Sequence, residues 1–212
     1  MDRLESHPFW GTRSPLADFS YVPFLLVSST RFSIAIIGTL ALIWTYLLSS
    51  LTCLAADLWI PKTYKTIISV LISSFWSFLF GFLVNLFSPL LFHELLFPLS
   101  LVPVVYIFSE LEEKNTEKSF KDTLNQVIIR ALVLSGIMLL LSLIREPLGF
   151  GSISLPTKEG ITAILTSEIA ADMSVRIFAT TGGGLILLGF VVGFYRIFRA
   201  MFVNYYAQKE NR

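Results

Sequence analysis

The sequence predicts an all-α, polytopic membrane protein with six transmembrane helices, arranged as two inverted three-helix repeats in which helices 1 and 4 are short or broken. Its composition supports the membrane class, since 54% of the 212 residues are hydrophobic, only 15% are charged and the mean hydropathy is +0.72. Ordinary soluble domains carry more charge than this. The helix count and the repeat follow from the uncharged runs and the basic residues.

Six apolar segments are the predicted helices 1 to 6. Three of them reach or approach the roughly 20 residues that a spanning helix needs. These long runs cover Phe32–Ala56, 66–92 and 177–195. The three shorter segments cover 19–30, 95–109 and 131–144. Apolar runs of about 10 to 14 residues need protein neighbours if they are to cross a bilayer.

The basic residues sort unevenly if all six helices cross. Twelve fall on the face that holds both termini: Arg3, Arg13, Lys62, Lys65, Lys114, Lys118, Lys121, Arg130, Arg196, Arg199, Lys209 and Arg212. Four fall on the other face: Arg31, Arg145, Lys158 and Arg176. The positive-inside rule therefore predicts a multi-pass protein of the cell's inner membrane with both termini in the cytoplasm. A five-span chain would lose this sorting.

This topology divides the chain into five parts. They are a cytoplasmic N-terminal segment (1–18), helices 1 to 4 (19–109), a cytoplasmic loop (110–122), helices 5 and 6 with an outer loop at 146–175 (123–204), and a cytoplasmic tail (205–212). The charged run in the 110–122 loop is typical of a solvated connection. The lipid bilayer is the first partner that the sequence implies.

Helices 1 and 4 contain prolines in apolar surroundings, Pro23 in the first and Pro98 and Pro103 in the second. Proline removes a backbone donor and clashes with the preceding turn, so these helices are expected to kink or break. In the six-span topology they enter from opposite faces, as interrupted helices of an inverted repeat do. The alternative is that proline is simply common in membrane helices.

The segment "IREPLGFGSISLP" follows helix 5 and combines adjacent opposite charges with two glycines. Arg145 and Glu146 are expected at the outer end of the helix, where both reach the headgroup region, and Pro147 is expected to end it. Gly149 and Gly151 then permit backbone conformations that other residues avoid. The alternative is that Arg145 binds a carboxylate or phosphate, or that the glycines let the backbone approach a cofactor.

Two further features are candidate interface or ion sites. Gly189 and Gly193 have the four-residue spacing that allows close helix packing in membranes, and the triple glycine at 182–184 could instead loosen helix 6 for ion or cofactor passage. Glu94 is expected at the outer start of helix 4, either as an ordinary interfacial residue or in contact with a translocated ion.

Several function classes are excluded by missing motifs. The chain has no Gly-rich phosphate loop, no serine nucleophile elbow and no His or Cys metal spacing. Self-contained ATP-driven or hydrolytic chemistry is not expected. Cys53, the single cysteine, cannot form an intramolecular disulfide. A net charge of +1 gives no reason to expect a nucleic-acid partner.

Three of these segments resemble one family, the six-helix membrane subunits of the Rnf and Na⁺-translocating NADH:quinone reductase (Nqr) complexes. "LLLSLIREPLGFGSIS" is similar to the family's segment that closes helix 5. "VPFLLVS" resembles the family's cysteine-proline segment in helix 1, and "LLFPLSLVPV" resembles its isoleucine-proline segment in helix 4. The resemblance covers nearly the whole chain, and the cytoplasmic N-terminus matches the RnfE/NqrD type.

The resemblance implies a role in electron transport. In the family, two related subunits pack as an inverted pair, and cysteines of their helices 1 and 4 hold a two-iron, two-sulfur cluster that passes electrons, coupled to Na⁺ or proton movement. Here the matching positions are Val22 and Val104, and Pro103 replaces the neighbouring asparagine. Valine has no donor atom for iron, and such clusters normally take four thiolates.

The sequence is therefore interpreted as a non-catalytic subunit of an Rnf/Nqr-like, redox-driven ion-translocating complex. It is expected to bind no cofactor alone, with iron–sulfur or flavin groups in partner subunits, and to pair with a related six-helix chain through helices 1 and 4. The alternatives are an inverted-repeat transporter of a small solute or ion and a structural assembly subunit.

Overall fold

The computed structural model describes residues 19–56, 61, 64–111, 120–166 and 175–210. The described residues form six α-helices: α1 (Val22–Ser28), α2 (Phe32–Ala56), α3 (Lys65–Phe87), α4 (Pro89–Leu111), α5 (Phe120–Phe150) and α6 (Thr181–Glu210). Short 3₁₀ turns at Phe19–Tyr21 and Arg176–Ala179 precede α1 and α6. The predicted segment 1–18, residues 112–119 of the predicted loop and the last two residues of the predicted tail lie outside the described residues.

The predicted all-α, polytopic membrane class is confirmed. Helices α2 to α6 each contain a stretch long and apolar enough to cross a membrane. Helix α1 has seven residues, about 10 Å at the α-helical rise, so helix 1 is short as predicted. It is not among the five described helices long enough to cross a membrane, and the predicted sixth crossing stays a prediction. The chain is therefore a multi-pass membrane protein.

A β-hairpin follows α5, where the sequence predicted only an outer loop at 146–175. Strands β1 (Ser152–Thr157) and β2 (Gly160–Thr166) pair antiparallel, with Thr157 opposite Gly160 across a two-residue turn. Gly151 enters the hairpin with a φ of 65°, so its predicted use of a conformation that other residues avoid is confirmed.

The hairpin marks one face of the helix bundle. The Ser154 hydroxyl lies 3.0 Å from the Ser33 hydroxyl at the start of α2, and Gly160 lies beside Leu90 at the start of α4. Because successive spans are antiparallel, α5 also ends on this face and α6 begins on it. We call this side the hairpin face.

The predicted sorting of basic residues holds for the described part of the chain. Arg31, Arg145, Lys158 and Arg176 lie towards the hairpin face, whereas Lys65, Arg130, Arg196 and Arg199 lie towards the opposite ends of the helices. The asymmetry predicts that the opposite face is cytoplasmic.

Helix α4 is not broken, although Pro98 and Pro103 both lie inside it. Pro103 has no N–H to donate to the carbonyl of Leu99, four residues earlier. The hydroxyl of Ser77, on α3, donates to that Leu99 carbonyl at 2.8 Å. The helix therefore stays continuous because a neighbouring helix supplies the missing donor.

Pro23 does not interrupt α1 either, because it lies in the first turn of that helix. The N–H groups of the first turn have no partner within a helix, so proline costs little there. The predicted break is therefore wrong for both helices, the predicted kink stays a prediction, and the prediction that helix 1 is short is correct.

Helix α3 packs through a row of small residues. Its buried positions are Ser69, Ser73, Ser77 and Gly81, spaced four residues apart. Gly81 faces the side chains of Phe92 and Leu99 on α4. Small residues at this spacing let membrane helices approach closely. Helix α3 therefore packs closely against the bundle through these residues, while Phe75, Phe78 and Phe82 are exposed on its outer side.

Replacing Ser77 with alanine should destabilise the protein by about 1 to 2 kcal/mol, because the buried Leu99 carbonyl loses the hydroxyl donor that replaces the missing N–H of Pro103. The control is Ser100→Ala on α4, whose exposed hydroxyl bonds only within its own helix, to Phe97 O. Thermal unfolding of the purified protein in mild detergent measures both. Equal midpoints for the two variants would contradict this role of Ser77.

Candidate functional site

Arg145 lies near the end of α5 and is buried. The helix continues through Pro147 to Phe150, and only 2% of the Arg145 surface is exposed. The predictions that Pro147 ends the helix and that Arg145 reaches the headgroup region are therefore wrong. The physical reason is that hydrogen-bond acceptors from neighbouring segments surround the guanidinium.

The Arg145 guanidinium binds backbone carbonyls of separate segments. Its Nε donates to Phe178 O at 3.0 Å, Nη1 to Leu26 O at 2.7 Å and Nη2 to Thr180 O at 3.0 Å. Nη1 also lies 3.4 Å from Ser29 Oγ. Arg145 thus connects α5 to the end of α1 and to the turn that leads into α6.

This arrangement suits a buried cation. The Leu26 carbonyl lies in the last turn of α1, and carbonyls at the C-terminal end of a helix have no partner within that helix and carry partial negative charge. The planar guanidinium fork carries five N–H donors in a fixed geometry and can bind carbonyls of several segments at once, whereas an ammonium group has three. Among the described residues no carboxylate pairs with Arg145, and its recorded bonds leave one Nη2 hydrogen for any further ligand.

Glu146 binds the N-terminal end of a helix, whereas Arg145 binds the C-terminal end of α1. Its Oε2 accepts a hydrogen bond from the backbone N–H of Phe32 at 2.7 Å, in the first turn of α2. The side chain is 2% exposed, so its predicted place among the headgroups is also wrong. The start of a helix carries partial positive charge and unpaired N–H groups, which a carboxylate satisfies.

The adjacent charges therefore fix the turn between α1 and α2. Arg145 binds a carbonyl on the α1 side of the turn, and Glu146 binds the first N–H on the α2 side. The next N–H, of Ser33, donates to Ser154 Oγ of the hairpin at 3.4 Å. We call Arg145, Glu146 and these bonded groups the Arg–Glu hub.

Two glycines make room for the hub. A side chain at Gly149 would place its Cβ 2.6 Å from the backbone nitrogen of Ala179, so its role is close backbone approach within a helix and not the predicted unusual conformation. A Cβ at Gly184 would lie 2.8 Å from both Arg145 Cζ and Leu26 Cδ1. Gly184, the last of the triple glycine, thus admits the guanidinium at the start of α6.

Substitutions at Glu146 separate its charge from its hydrogen bond. Alanine leaves the Phe32 N–H without an acceptor and should lower the free energy of unfolding by about 1 to 3 kcal/mol. Glutamine keeps an acceptor and should cost about 1 kcal/mol or less. The matched control is Glu94→Ala, a change at an exposed carboxylate, expected within about 0.5 kcal/mol. Thermal unfolding in detergent measures all three variants. A midpoint for Glu146→Ala equal to that of Glu94→Ala would contradict the capping role.

The positions that match the family's cluster lie on α1 and α4, which contact each other. Pro98 and Pro103 are buried, whereas Pro23 is exposed and Val22 is half-buried. Val104 is 43% exposed. The apolar surface at Pro23 and Val104 is therefore open to lipid or to another chain.

The remaining candidates do not join the hub. Glu94 lies in the second turn of α4 and is exposed. An added Cβ at Gly189 or Gly193 would meet nothing within 4 Å among the described residues. Their predicted packing contact is not formed within the described chain, and a contact with another chain stays a prediction.

The sequence reasoning missed two contributors to the hub, the hairpin serine Ser154 that binds the start of α2 and the role of Glu146 as a helix cap. In the bundle it missed the serine row of α3. The four-residue spacing of Ser69, Ser73 and Ser77 was a visible signal. In the parts of the chain that the structure describes, no three His, Cys, Asp or Glu side chains gather as a metal site would require.

Comparison with known families gives no matching family model. Comparison with curated proteins also gives no match.

Proposed function

We propose that this chain is a non-catalytic membrane subunit of an electron-transport complex of the Rnf/Nqr type, closest to RnfE/NqrD. The observation that carries the proposal is that the three segments of the resemblance meet in space. Arg145, from the "IREPLGFG" segment, binds α1, which consists of "VPFLLVS". Helix α1 in turn packs against α4, which contains "LLFPLSLVPV".

The proposed partner is a related six-helix chain that packs against α1 and α4. Support comes from the surface at these helices, where Pro23 is exposed and Val104 is 43% exposed. An apolar surface of this kind fits a second membrane helix as well as lipid. Both termini and the charged 110–122 loop are proposed to face the cytoplasm of the cell's inner membrane.

The electron path is proposed to run through partner subunits. Val22 and Val104 supply no thiolate at the family's cluster positions, and Cys53 lies on α2, where its Sγ is 3.7 Å from Ser69 Oγ. A four-thiolate cluster cannot be built from this chain's side chains. Iron–sulfur or flavin groups, if the complex uses them, belong to the other chains.

Purification from its native membrane in mild detergent tests the proposal. We expect a related six-helix chain and flavin- or iron–sulfur-containing subunits to co-purify, with iron and flavin quantified in the complex. The chain expressed alone should bind neither. A lone, colourless protein from the native membrane would contradict the redox role.

A transporter of a small solute or ion is the second candidate function. It is favoured by buried hydroxyl groups without a hydrogen-bond partner among the described residues: Ser28, Thr39, Thr45, Ser49 and Ser135. Unpaired hydroxyls inside a membrane bundle are costly, and a polar solute or water could satisfy them. Solute uptake by vesicles that contain the purified chain alone would favour this function over the redox subunit.

A further inference from the structure

A cleft beside α6 lies at the end of the helix away from the hairpin face. Its volume is about 360 Å³, and Tyr195, Arg196, Arg199 and Ala200 line it. Tyr195 forms a wall, since only 5% of its surface is exposed. Arg196 is exposed and Arg199 is half-buried. The cleft is therefore open to its surroundings and basic.

The position of the cleft along α6 places it at a membrane boundary. Arg196 and Arg199 lie about 22 and 27 Å from Thr181 along the helix, at 1.5 Å per residue. The hydrocarbon core is about 30 Å thick. If Thr181 lies near one edge of the core, Arg196 and Arg199 lie near the other edge, and their long side chains can reach the lipid phosphates there. Tyrosine is also typical of this boundary.

The two guanidinium groups can act on one ligand. Residues three apart lie on the same side of a helix. Arg196 can present paired N–H donors to phosphate oxygens, and Arg199, which also interacts with another group, adds a second positive charge. Arg196 forms no hydrogen bond or ion pair among the described residues. The carboxylates whose side chains the structure describes, Glu94, Glu146 and Glu159, belong to the half of the molecule near the hairpin face.

We propose that this cleft binds the phosphate headgroup of an anionic phospholipid in the leaflet opposite the hairpin face. Basic pockets beside membrane helices bind such headgroups through charge and hydrogen bonds. The acyl chains would lie along the apolar face of α6, where Phe190 and Phe194 are 61% and 59% exposed. The site is independent of the Arg–Glu hub and of the proposed redox role.

The test measures stabilisation of the full chain in a neutral detergent on addition of phosphatidylglycerol or phosphatidylcholine. Phosphatidylglycerol should raise the unfolding temperature and should remain bound in native mass spectra, whereas phosphatidylcholine should do neither. The double variant Arg196→Gln/Arg199→Gln should weaken phosphatidylglycerol binding at least about fivefold, because the paired donors of Arg196 and both positive charges are lost.

A matched control removes the same charge elsewhere. Lys158→Gln/Arg176→Gln changes two exposed residues at the hairpin face and should bind phosphatidylglycerol as the unmodified chain does. Equal binding by the cleft variant and the unmodified chain would overturn the proposal, as would equal losses in the two double variants. Stabilisation by inorganic phosphate alone, at equal ionic strength, would also overturn it and identify a free anion site instead.

Discussion

Replacing Arg145 with alanine is expected to destabilise the protein more than any other single change considered. It leaves the carbonyls of Leu26, Phe178 and Thr180 without their guanidinium donor. The Thr180 carbonyl keeps its bond from the Gly184 N–H. Each hydrogen bond from a charged donor contributes about 1.5 to 3 kcal/mol, so losing all three should cost at least about 3 kcal/mol. Thermal unfolding in detergent should show a much lower midpoint, and size-exclusion chromatography should show aggregation.

Two further variants test whether the fork geometry matters at Arg145. Lysine keeps the charge but cannot bind three separate carbonyls as a planar fork does, so Arg145→Lys should fall between alanine and the unmodified protein. Arg31→Ala is the matched control, because Arg31 is exposed and its guanidinium lies over the Phe150 ring at 5.2 Å. An Arg145→Ala protein as stable as Arg31→Ala would contradict the hub.

Replacing Gly149 with alanine is expected to have the second-largest effect. The new Cβ would lie 2.6 Å from Ala179 N and 3.0 Å from Ala179 Cα. These are backbone atoms, so the turn before α6 must move away from α5, at a cost of about 1 to 3 kcal/mol. The displacement would also strain the bond between Arg145 and Phe178 O.

The control for Gly149→Ala is Gly136→Ala on the same helix. A Cβ at Gly136 meets nothing within 4 Å among the described residues, and alanine favours the helix by about 1 kcal/mol over glycine. The two substitutions should therefore change the unfolding temperature in opposite directions. Stabilisation by both would contradict the close contact between α5 and the turn before α6.

The sequence was sufficient to predict the membrane class, because the thickness of the bilayer sets how long an apolar run must be to cross it, and the length of such a run can be read from the sequence. It was less reliable at helix boundaries. The predicted third span ran to Phe92, whereas α3 ends at Phe87 and α4 begins at Pro89. Ser88 is extended, as residues before proline tend to be. Hydropathy alone cannot locate the boundary between α3 and α4, because the apolar run is continuous across it. The Ser88-Pro89 pair is the one sequence signal at this boundary.

The hub could not be derived from the sequence because its partners are backbone groups. Arg145 and Glu146 look like interfacial residues when only their distance from the end of an apolar run is known. Their burial depends on α1 and the turn before α6, which lie more than thirty residues away in either direction. Main-chain carbonyls and amides leave no residue signature.

Proline was also overinterpreted at Pro103. Sequence alone shows the lost donor but not the compensating one, and Ser77 lies on a different helix. A serine in an apolar run is common enough to carry little information by itself. The role of Ser77 follows from its place in the row of small residues that faces α4, and the structure is needed to see which helix that row faces.

Side-specific labelling tests the central claim most directly, namely that the hub and hairpin lie at one membrane face and the basic end of α6 at the other. In a Cys53→Ser background, Lys158→Cys reports on the hairpin turn, and Tyr64→Cys reports on the start of α3. A membrane-impermeant maleimide applied to intact cells should label position 158, and should label position 64 only after permeabilisation. Labelling of both positions from the same side would contradict the antiparallel bundle, and with it the proposed kinship.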